Sequence, residues 1–466
     1  MSDPFPIPSP AEWRDLAEKA LKGRPLEGLV HLDADGLAVR PLYAAASGVQ
    51  PVSAPRPSDA EGRAWDLRTS AEGADPVAVN AAVLTDLEGG AASIVLGGGV
   101  LDDSEPLTAA LDGVALELAA VGLDAGLSGH EAANALAVAA KGSPRARLMF
   151  HMDPLSAFAE VGAAPRSAPE HLMLAANTAM RHAAAYPAAT FFLAGGRVAH
   201  EAGGSVGQEL GFALANAAEL IRAALAAGLS GEQALKGTVM GLSVDQEYLD
   251  GLAKVRAARL MWRTFSRGFG VETAAAVEAR SSRRMLSARD PWPNLLRLTA
   301  AGFAGAVGGA DAVVLEGLAR ANGRSDAFAR RQARNTQLVL MEEAHLCRVN
   351  DPAAGSWFLD ARTLDLAEAG WAEFQRIEGE GGLVASLRTG GVQARIAAAR
   401  AERESALAGG AAHLVGVTKF VDPEPRPALF EPAPTRRADG GGDACDPLTP
   451  IRFAEPFETQ AWEAAQ

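Results

Sequence analysis

Two histidine-containing segments are the first candidates for acid–base chemistry in this sequence. His151 and Asp153 stand two residues apart after an apolar run, a spacing that lets a carboxylate orient an imidazole. Alone, such a pair more often makes a structural hydrogen bond. His200 and Glu201 are adjacent within the glycine-flanked segment 195–204, and a histidine beside a glutamate suggests general acid–base work. Neighbouring residues on an extended segment point to opposite sides, however, so these two need not share one site.

A group of arginines forms a second candidate site. Arg280, Arg283 and Arg284 follow a predicted strand, and guanidinium groups at that point could hold a phosphate or a carboxylate. Gly97–Gly99 could also approach a phosphate, but the segment lacks the Lys and Ser/Thr of a P-loop, and a tight turn is the better interpretation. No Ser-His-Asp order, glycosidase-like carboxylate pair or metal motif can be argued from spacing. The residues alone therefore leave the chemistry undecided.

Charge and cysteine content narrow the class of protein. The 466 residues include 43 Lys+Arg and 57 Asp+Glu, a formal net charge of −14, and an acidic chain without a dense basic stripe is a poor nucleic-acid binder. Cys347 and Cys445 show no CxxC or Cys/His spacing, which argues against a zinc site or a disulfide framework and fits a reducing compartment. The N-terminus does not resemble a signal peptide, and no stretch approaches the roughly 20 apolar residues of a membrane span. These features predict a cytoplasmic protein.

The elements that must position these side chains alternate between strand and helix. Short apolar runs, each followed by a helical stretch, are typical of a parallel sheet that is covered on its outer side. Eight such units favour a closed (β/α)8 barrel over an open sheet. The predicted strands are Ala92–Leu96, Val114–Leu118, Ala146–His151, Thr190–Ala194, Gly237–Leu242, Val271–Val277, Ala312–Leu315 and, weakest, Leu346–Val349.

Several helices show clear starts. In a capping box, a serine side chain caps the backbone of the third residue that follows it. The pairs that fit this pattern are Ser128 with Glu131, Ser205 with Gln208, and Ser230 with Gln233. A short amphipathic helix is also predicted around Trp13, Leu16, Ala17 and Leu21.

The chain divides into three zones. Residues 1–60 form an N-terminal arm that prolines interrupt, so its apolar side chains need another surface, in this chain or in a partner. Residues 61–415 carry the alternating pattern and are predicted to form the barrel. Residues 416–466 are rich in Pro and Gly and indicate an extended C-terminal linker or tail.

Several segments along the chain carry distinctive motifs. They are G-L-A-V-R-P-L-Y at 36–43, A-K-V-R-A-A-R at 253–259, D-P-W-P-N-L-L-R at 290–297, G-G-A-D at 308–311, D-A-F-A-R-R-Q-A-R-N-T-Q at 326–337 and V-N-D-P-A-A-G-S-W at 349–357. Together with residues 201–225, and in a consistent order along most of the chain, these segments resemble the barrel domain of the methylmalonyl-CoA mutase family.

This resemblance implies a fold and a reaction. Catalytic members thread an acyl-CoA through a (β/α)8 barrel whose mouth is covered by a cobalamin-binding domain. Homolysis of the cobalt–carbon bond of adenosylcobalamin starts the radical rearrangement of (R)-methylmalonyl-CoA to succinyl-CoA. The cofactor supplies the hard chemistry, and the protein positions it and excludes water.

The chain departs from the family pattern where catalysis needs it. Catalytic members carry S-G-Y-H-x-x-E-A-G, and aligning E-A-G at 201–203 places Arg197 at the Tyr position and Val198 at the His position. A valine neither donates a hydrogen bond nor transfers a proton. The family's T-E-Q-D-P-Y becomes S-A-R-D-P-W at 287–292, so Arg289 replaces a substrate-facing Gln. The D-x-H-x-x-G motif that supplies a histidine to cobalt is missing, and 451–458 resembles the linker before the cobalamin domain, so that domain is expected to be absent.

The resemblance and these departures predict the small, non-catalytic subunit of a heterodimeric, cobalamin-dependent methylmalonyl-CoA mutase. Such a chain has no catalytic, cofactor-binding or metal-ligating residues of its own, and the large catalytic subunit binds adenosylcobalamin and acyl-CoA. His200 is then structural, and Arg197 plugs the mouth by pairing with a carboxylate, because a buried arginine without a partner is costly.

Two alternatives stay open. One is the catalytic barrel of another acyl-CoA mutase, with a separate cobalamin-binding chain; the other is a non-enzymatic assembly or interaction protein for a mutase. Sister substrates such as ethylmalonyl-CoA or isobutyryl-CoA also fit the resemblance.

Overall fold

The structure, a computed structural model, describes residues 9–44, 51–56, 64–346, 348–432 and 440–458. Its centre is a closed barrel of parallel strands surrounded by helices. The strands are β1 (His31–Leu32), β2 (Ala38–Val39), β3 (Asp66–Glu72), β4 (Ser93–Gly97), β5 (Ala120–Asp124), β6 (Leu148–Met152), β7 (Ala163–Ala164), β8 (Thr190–Gly195), β9 (Thr238–Val244), β10 (Ala276–Ser281), β11 (Ala312–Val314), β12 (Arg324–Ser325), β13 (Phe430–Glu431) and β14 (Asp443–Ala444).

The helices range from one turn to six turns. They are α1 (Pro10–Ala20), α2 (Pro76–Glu88), α3 (Ser104–Ala110), α4 (Gly129–Ala139), α5 (Pro154–Val161), α6 (Ala168–Ala183), α7 (Arg197–Glu201), α8 (Val206–Ala226), α9 (Gly231–Lys236), α10 (Tyr248–Gly268), α11 (Asn294–Val307), α12 (Ala327–Leu338), α13 (Trp357–Gly379), α14 (Leu383–Thr389) and α15 (Gly391–Ala408). Short 3₁₀ turns cover Leu26–Leu29, Gly99–Leu101 and Gly126–Ser128, and a π turn covers Val339–Glu343.

The barrel contains β3 to β6 and β8 to β11, which neighbour one another in chain order. β11 pairs with β3 to close it, with Ala312 opposite Asp66 and Val314 opposite Arg68. Parallel neighbours need crossover connections, and the helices between the strands supply them. The predicted (β/α)8 fold is therefore confirmed.

Not every predicted strand is a barrel strand. The runs that begin at residues 92, 146, 190, 237 and 312 coincide with barrel strands, and Val271–Val277 overlaps β10 at its end. Val114–Leu118 is wrong, because it forms the turn before β5 and leaves Leu118 82% exposed. Leu346–Val349 is also wrong: Leu346 lies in a turn and Val349 in a bend, while Cys347 falls outside the described residues.

The first barrel strand, β3, was absent from the prediction because its sequence, D-L-R-T-S-A-E, is polar. Its charged side chain Arg68 is nevertheless buried inside the barrel, where it is paired. Because β3 is the first barrel strand, each later barrel strand has an ordinal number one higher than predicted. For example, β8 is the fifth barrel strand and not the fourth.

The helix starts are mostly as predicted. The Gln208 N–H donates to the Ser205 hydroxyl at 3.2 Å and the Gln233 N–H to the Ser230 hydroxyl at 3.1 Å, which confirms both capping boxes. The prediction for Ser128 is wrong, because its side chain makes no cap hydrogen bond where a 3₁₀ turn runs directly into α4.

Helix α8 is the most buried helix of the shell and packs along α13. Two glycines let these helices approach closely. A Cβ on Gly370 would lie 2.7 Å from the Leu210 Cβ, and one on Gly211 would lie 2.6 Å from the Glu373 Cβ. Side chains at either position would force the two helices apart.

The N-terminal arm is attached to the barrel but leaves apolar surface open. The predicted amphipathic helix is confirmed as α1, and no residue of α1 is buried. Leu16 is 62% exposed, and Leu32, in the β1–β2 hairpin, is 66% exposed. Asp33 of the same hairpin forms an ion pair with Arg362 of α13.

Residues 440–458 form what we call the C-terminal strap. It crosses the carboxyl-end face of the barrel: the Leu448 N–H donates to the Ala159 carbonyl at 2.7 Å and the Ile451 N–H to the Glu201 carbonyl at 2.8 Å. The Phe453 N–H donates to the Arg284 carbonyl at 3.0 Å. The strap therefore joins the segments that follow three different barrel strands, β6, β8 and β10. Within the ranges that the structure describes, no helix combines the length and apolar character needed to cross a bilayer.

Candidate functional site

A cavity of about 130 Å³ lies at the carboxyl ends of the barrel strands. In (β/α)8 enzymes this face carries the active site. The cavity is lined from the loops after β5, β6, β8 and β10, and Pro450 of the strap forms part of its wall. Its titratable lining residues are Asp124, His151, Asp153, Glu160, Arg197, Glu201, Arg280 and Arg283.

Arg197 and Val198 begin α7 and both line the cavity. The prediction that Arg197 pairs with a carboxylate is wrong. Within the described part of the chain, the Arg197 side chain makes no ion pair or hydrogen bond, and its Nε is buried. Burial, followed by repulsion from Arg280, lowers the pKa of Arg197 to about 10. Val198 presents a methyl surface to the cavity and offers no proton.

Glu201 closes the same short helix and acts as a clamp for the loop after β10. Its carboxylate accepts the backbone N–H groups of Arg283 at 3.1 Å and Arg284 at 3.0 Å. The hydroxyl groups of Ser243 and Ser282 donate to it at 3.4 Å each. These contacts hold two loops together and occupy the carboxylate with structural work.

His200 lies behind the cavity in a buried charged cluster. Its Nδ1 is 3.1 Å from Glu209 Oε2, and Lys254 donates to the same oxygen at 2.5 Å. Although burial opposes the charged form, Lys254 and His200 hold the pKa of Glu209 well below its usual range. The segment is helical and not extended as assumed, but His200 and Glu201 still face different surroundings. The structural role predicted for His200 agrees with this burial.

His151 and Asp153 both reach the cavity but do not pair. Asp153 is the N-cap of α5 and accepts from the Ser156 N–H at 3.1 Å and from the Gly195 N–H at 3.1 Å. Burial raises the pKa of Asp153 to about 6. The carboxylate therefore anchors the loop after β8 instead of orienting the imidazole.

The His151 ring stands apart from these contacts. It is 5% exposed, and neither ring nitrogen has a hydrogen-bond partner among the described residues. Burial lowers its pKa to about 4, so the imidazole is neutral at pH 7. The residue adopts a φ of +46°, within an irregularity of the β6–β8 pairing. Gly122 leaves room for the ring, since a Cβ there would lie 3.3 Å from His151 Nδ1.

An ion-pair network crosses the barrel interior, and the sequence pattern did not reveal it. Glu278 of β10 accepts from Arg68 of β3 at 2.5 Å and from Arg280 at 3.2 Å. Arg280 also pairs with Asp124 of β5 at 3.2 Å. Although burial opposes ionisation, the two arginines hold the pKa of Glu278 well below its usual range. A signal for the network exists in the sequence: charges at alternate positions of β3 and β10 point to the same face of each strand.

This network separates two spaces. A larger cavity, of about 830 Å³, lies at the amino ends of the strands and includes Arg68 and Glu278 in its lining. Arg280 and Asp124 line the small cavity at the carboxyl ends, and His151 lines both. Charged side chains from three strands therefore stand across the barrel between the two faces.

The remaining candidates lie away from the small cavity. Arg284 donates to the carbonyls of His200 at 2.9 Å and Gly204 at 2.8 Å, which makes it a loop support. Arg289 is not among the residues that line the small cavity. The turn at Gly97–Gly99 is tight as predicted, because a Cβ on Gly98 would lie 2.9 Å from a backbone nitrogen.

The chain is similar to several known proteins, and all of those compared below come from the same family. A family model described as methylmalonyl-CoA mutase matches residues 92–438. The methylmalonyl-CoA mutase small subunit of Streptomyces virginiae is 38% identical over 97% of this chain and 76% of its own length. The small subunit of Propionibacterium freudenreichii subsp. shermanii is 30% identical over 93% of this chain and 72% of its own length. The probable small subunit of Mycobacterium tuberculosis (strain ATCC 25618 / H37Rv) is 35% identical over 81% of this chain, which spans 60% of that protein.

These matches cover most of the chain and agree with the closed eight-stranded barrel. The chain belongs to the methylmalonyl-CoA mutase family.

Proposed function

We propose that the chain is a non-catalytic small subunit that supports the large, catalytic subunit of an adenosylcobalamin-dependent methylmalonyl-CoA mutase. The large subunit binds the acyl-CoA and the cofactor and converts (R)-methylmalonyl-CoA to succinyl-CoA. The observation that carries this proposal is the charged network between the two faces of the barrel.

The network bears on substrate binding. An acyl-CoA threaded through this barrel would have to displace Arg68, Glu278 or Arg280, which are each at most 6% exposed. Breaking one buried ion pair costs about 3–5 kcal/mol. The interior of this chain is thus organised for stability and not for a long, flexible ligand.

The chemistry of the mouth supports the same proposal. Val198 stands where catalytic relatives are expected to carry a histidine, and it faces the cavity with hydrocarbon. Nearby, Glu201 is engaged by backbone N–H groups, and His200 is buried behind it. The polar side chains at this mouth therefore hold loops together instead of facing a substrate carbonyl.

The described residues do not fit a corrinoid over this mouth. The strap bonds to the loops after β6, β8 and β10, and Pro450 forms part of the cavity wall, so this chain's own backbone occupies the face. Adenosylcobalamin would supply the radical that starts the rearrangement, and we place it in the large subunit. In this chain the strap holds its loops and keeps the mouth narrow.

The exposed apolar surface of the N-terminal arm supports the proposal that this chain binds a partner subunit. The exposed leucines of α1 and the β1–β2 hairpin would gain about 25 cal/mol for each Å² of apolar surface that a partner covers. Leu16 and Leu32 have no such cover within the described residues of this chain. The arm is therefore the surface that we assign to the large subunit.

Co-expression with the large mutase chain of the same genome tests the proposal. We expect a stable 1:1 complex by size-exclusion mass, with mutase activity that depends on adenosylcobalamin bound to the large chain. Substitutions that destroy the large chain's active site should abolish activity, whereas Val198→Ala in this chain should leave it unchanged. Turnover by this chain alone with added cofactor would contradict the proposal.

A further inference from the structure

Arg197 leaves a positive charge without an ion-pair partner at the wall of the small cavity. Among the described residues no carboxylate lies within ion-pair distance of its guanidinium, and Arg280 and Arg283 are cations nearby. The Arg197 side chain is partly buried, with its Nε fully buried, and a counter-charge stabilises a cation that has lost part of its water. The cavity beside Arg197 is the space in which such a group would lie.

The carboxylates closest to Arg197 are occupied elsewhere. Glu201 accepts the backbone N–H groups of Arg283 and Arg284 at 3.0–3.2 Å. Glu316 pairs with Arg283 at 3.3 Å and with Arg320 at 3.2 Å. Both carboxylates act on the Arg197 charge over a longer distance, but their oxygens are bonded to other donors and neither contacts the Arg197 guanidinium.

The other acidic residues of the lining are also engaged. Asp124 pairs with Arg280 at 3.2 Å. Asp153 accepts from two backbone N–H groups at 3.1 Å and from the Asn216 amide at 2.8 Å. Glu160 likewise has a partner of its own. The ion pair of Asp124 and the hydrogen bonds to Asp153 reduce the repulsion that these two carboxylates exert on an anion in the cavity.

His151 provides a second, independent indication of a ligand. The residue is 5% exposed, lines the cavity and has both ring nitrogens unpaired within the described ranges. A buried polar group without a partner costs free energy, and a neutral imidazole offers one N–H donor and one acceptor. A φ of +46° is uncommon for a residue other than glycine, and such backbone conformations are concentrated at functional sites.

We propose that the cavity binds one small oxyanion, which takes its counter-charge from Arg197 and a hydrogen bond from the His151 ring. The volume of about 130 Å³ limits its size. A cavity of about 150 Å³ accommodates benzene, so the ligand has no more than about six non-hydrogen atoms. Short-chain carboxylates and inorganic phosphate share this chemistry. A guanidinium matches either of them with two parallel N–H donors.

Calorimetric titration of the full chain with acetate and with inorganic phosphate tests the proposal, at an ionic strength held constant with chloride. We expect saturable 1:1 binding of at least one of the two anions. Saturation by acetate alone identifies a carboxylate ligand, and saturation by phosphate alone identifies an inorganic one. Arg197→Met should weaken binding at least tenfold, because it removes a charge-assisted hydrogen-bond pair.

Arg145→Met is the matched control, since Arg145 is a surface arginine with an 83% exposed side chain. Its affinity should equal that of the wild type. A crystal of the wild-type chain soaked in the bound anion gives a readout that does not depend on the folding of a variant: the anion should lie within hydrogen-bond distance of Arg197 and His151. Absence of saturation with both anions, equal weakening in the two variants, or an anion bound elsewhere would overturn the proposal.

Discussion

Asp35 of the N-terminal arm caps helix α8 from 172 residues away: its Oδ2 accepts the Gly207 N–H at 2.9 Å, and the Ser205 hydroxyl bonds to its other oxygen. The first N–H groups of a helix have no partner within the helix, so a carboxylate there is stabilising. This contact fixes the turn of the β1–β2 hairpin to the start of α8. The exposed Leu32 of the same hairpin is thereby held close to the barrel.

Asp35→Ala should lower the free energy of unfolding by about 1–2 kcal/mol, the usual cost of losing a helix cap. Urea denaturation measures this change, and limited proteolysis should show faster cleavage in the arm. Asp15→Ala, in the exposed α1, is the control and should change neither result. Unchanged stability of Asp35→Ala would mean that the cap is not formed in solution.

Gly370→Ala should destabilise the chain by about 1–3 kcal/mol, because the new Cβ would lie 2.7 Å from the Leu210 Cβ and the two helices cannot close around it. Gly379→Ala in the same helix is the matched control, since a Cβ there meets nothing within 4 Å. That variant should be neutral or slightly more stable, because alanine favours a helix over glycine. Equal effects in thermal unfolding would contradict the packing described for α8 and α13.

Glu278→Gln should cost about 3–5 kcal/mol, because it leaves Arg68 and Arg280 buried without their shared carboxylate. Chemical denaturation of the full chain measures this loss. Removing the exposed pair of Arg145 and Glu117 by Arg145→Met should leave stability unchanged within error. A Glu278→Gln chain as stable as the wild type would show that the network is not closed, and would weaken the argument against a threaded acyl-CoA.

Leu32→Asp should weaken the complex with the large subunit at least tenfold and leave the fold of this chain intact, because Leu32 is 66% exposed in the chain alone. Analytical ultracentrifugation of the mixed chains gives the dissociation constant. Leu118→Asp, at an 82% exposed leucine outside the arm, is the control and should bind like the wild type. If Leu32→Asp also binds like the wild type, the arm is not the interface.

Acidification should destabilise the wild type through His151. Its folded pKa of about 4 lies below the ordinary 6.5, so between pH 6.5 and 4 the unfolded chain gains a proton that the native chain does not. The unfolding free energy should therefore fall as pH falls through this window, by up to about 3 kcal/mol. Asp153 acts in the opposite direction, because its raised pKa of about 6 lets the native chain take up a proton first as pH falls towards 4.

The comparison of wild type with His151→Asn isolates the first effect, since Asn tolerates a positive φ and does not titrate. As pH falls from 7 to 4, we expect the unfolding free energy of the wild type to decrease more than that of His151→Asn. A difference that stays constant with pH would show that His151 is solvated or paired in solution.

The sequence reveals most of this architecture where the apolar pattern and the packing coincide. β4, β6, β8 and β9 are mostly apolar, and most of their residues are buried on both faces of the sheet. β3 does not show this apolar pattern, because at its position the barrel interior is filled with ion pairs. The helix caps at Ser205 and Ser230 can be predicted from the sequence because they involve residues only three positions apart. The cap predicted at Ser128 does not form, since the preceding 3₁₀ turn runs directly into the helix.

The site is less predictable than the fold because its contacts join distant segments. Arg197, His151 and Glu201 are visible as candidates, but nothing in their spacing shows that Arg197 lacks a partner or that Glu201 is occupied by backbone N–H groups. Likewise, the pairing of Arg68 with Glu278 depends on the register of strands that close the barrel. Register across a barrel is a property of the whole sheet and not of a sequence window.

Closure of the barrel by β3 and β11 sets an order of events during synthesis. The polar strand β3 leaves the ribosome early, but its partner for closure, β11, emerges only after the other six barrel strands, and the strap follows later still. Until β11 is synthesised, one edge of β3 is unpaired, and Arg68 cannot form its ion pair before Glu278 of β10 is synthesised. Pairing so distant in the chain is slow, and an unpaired edge during that interval invites aggregation. The charges on β3 then serve a second purpose, because charged side chains discourage an open edge from pairing with another chain.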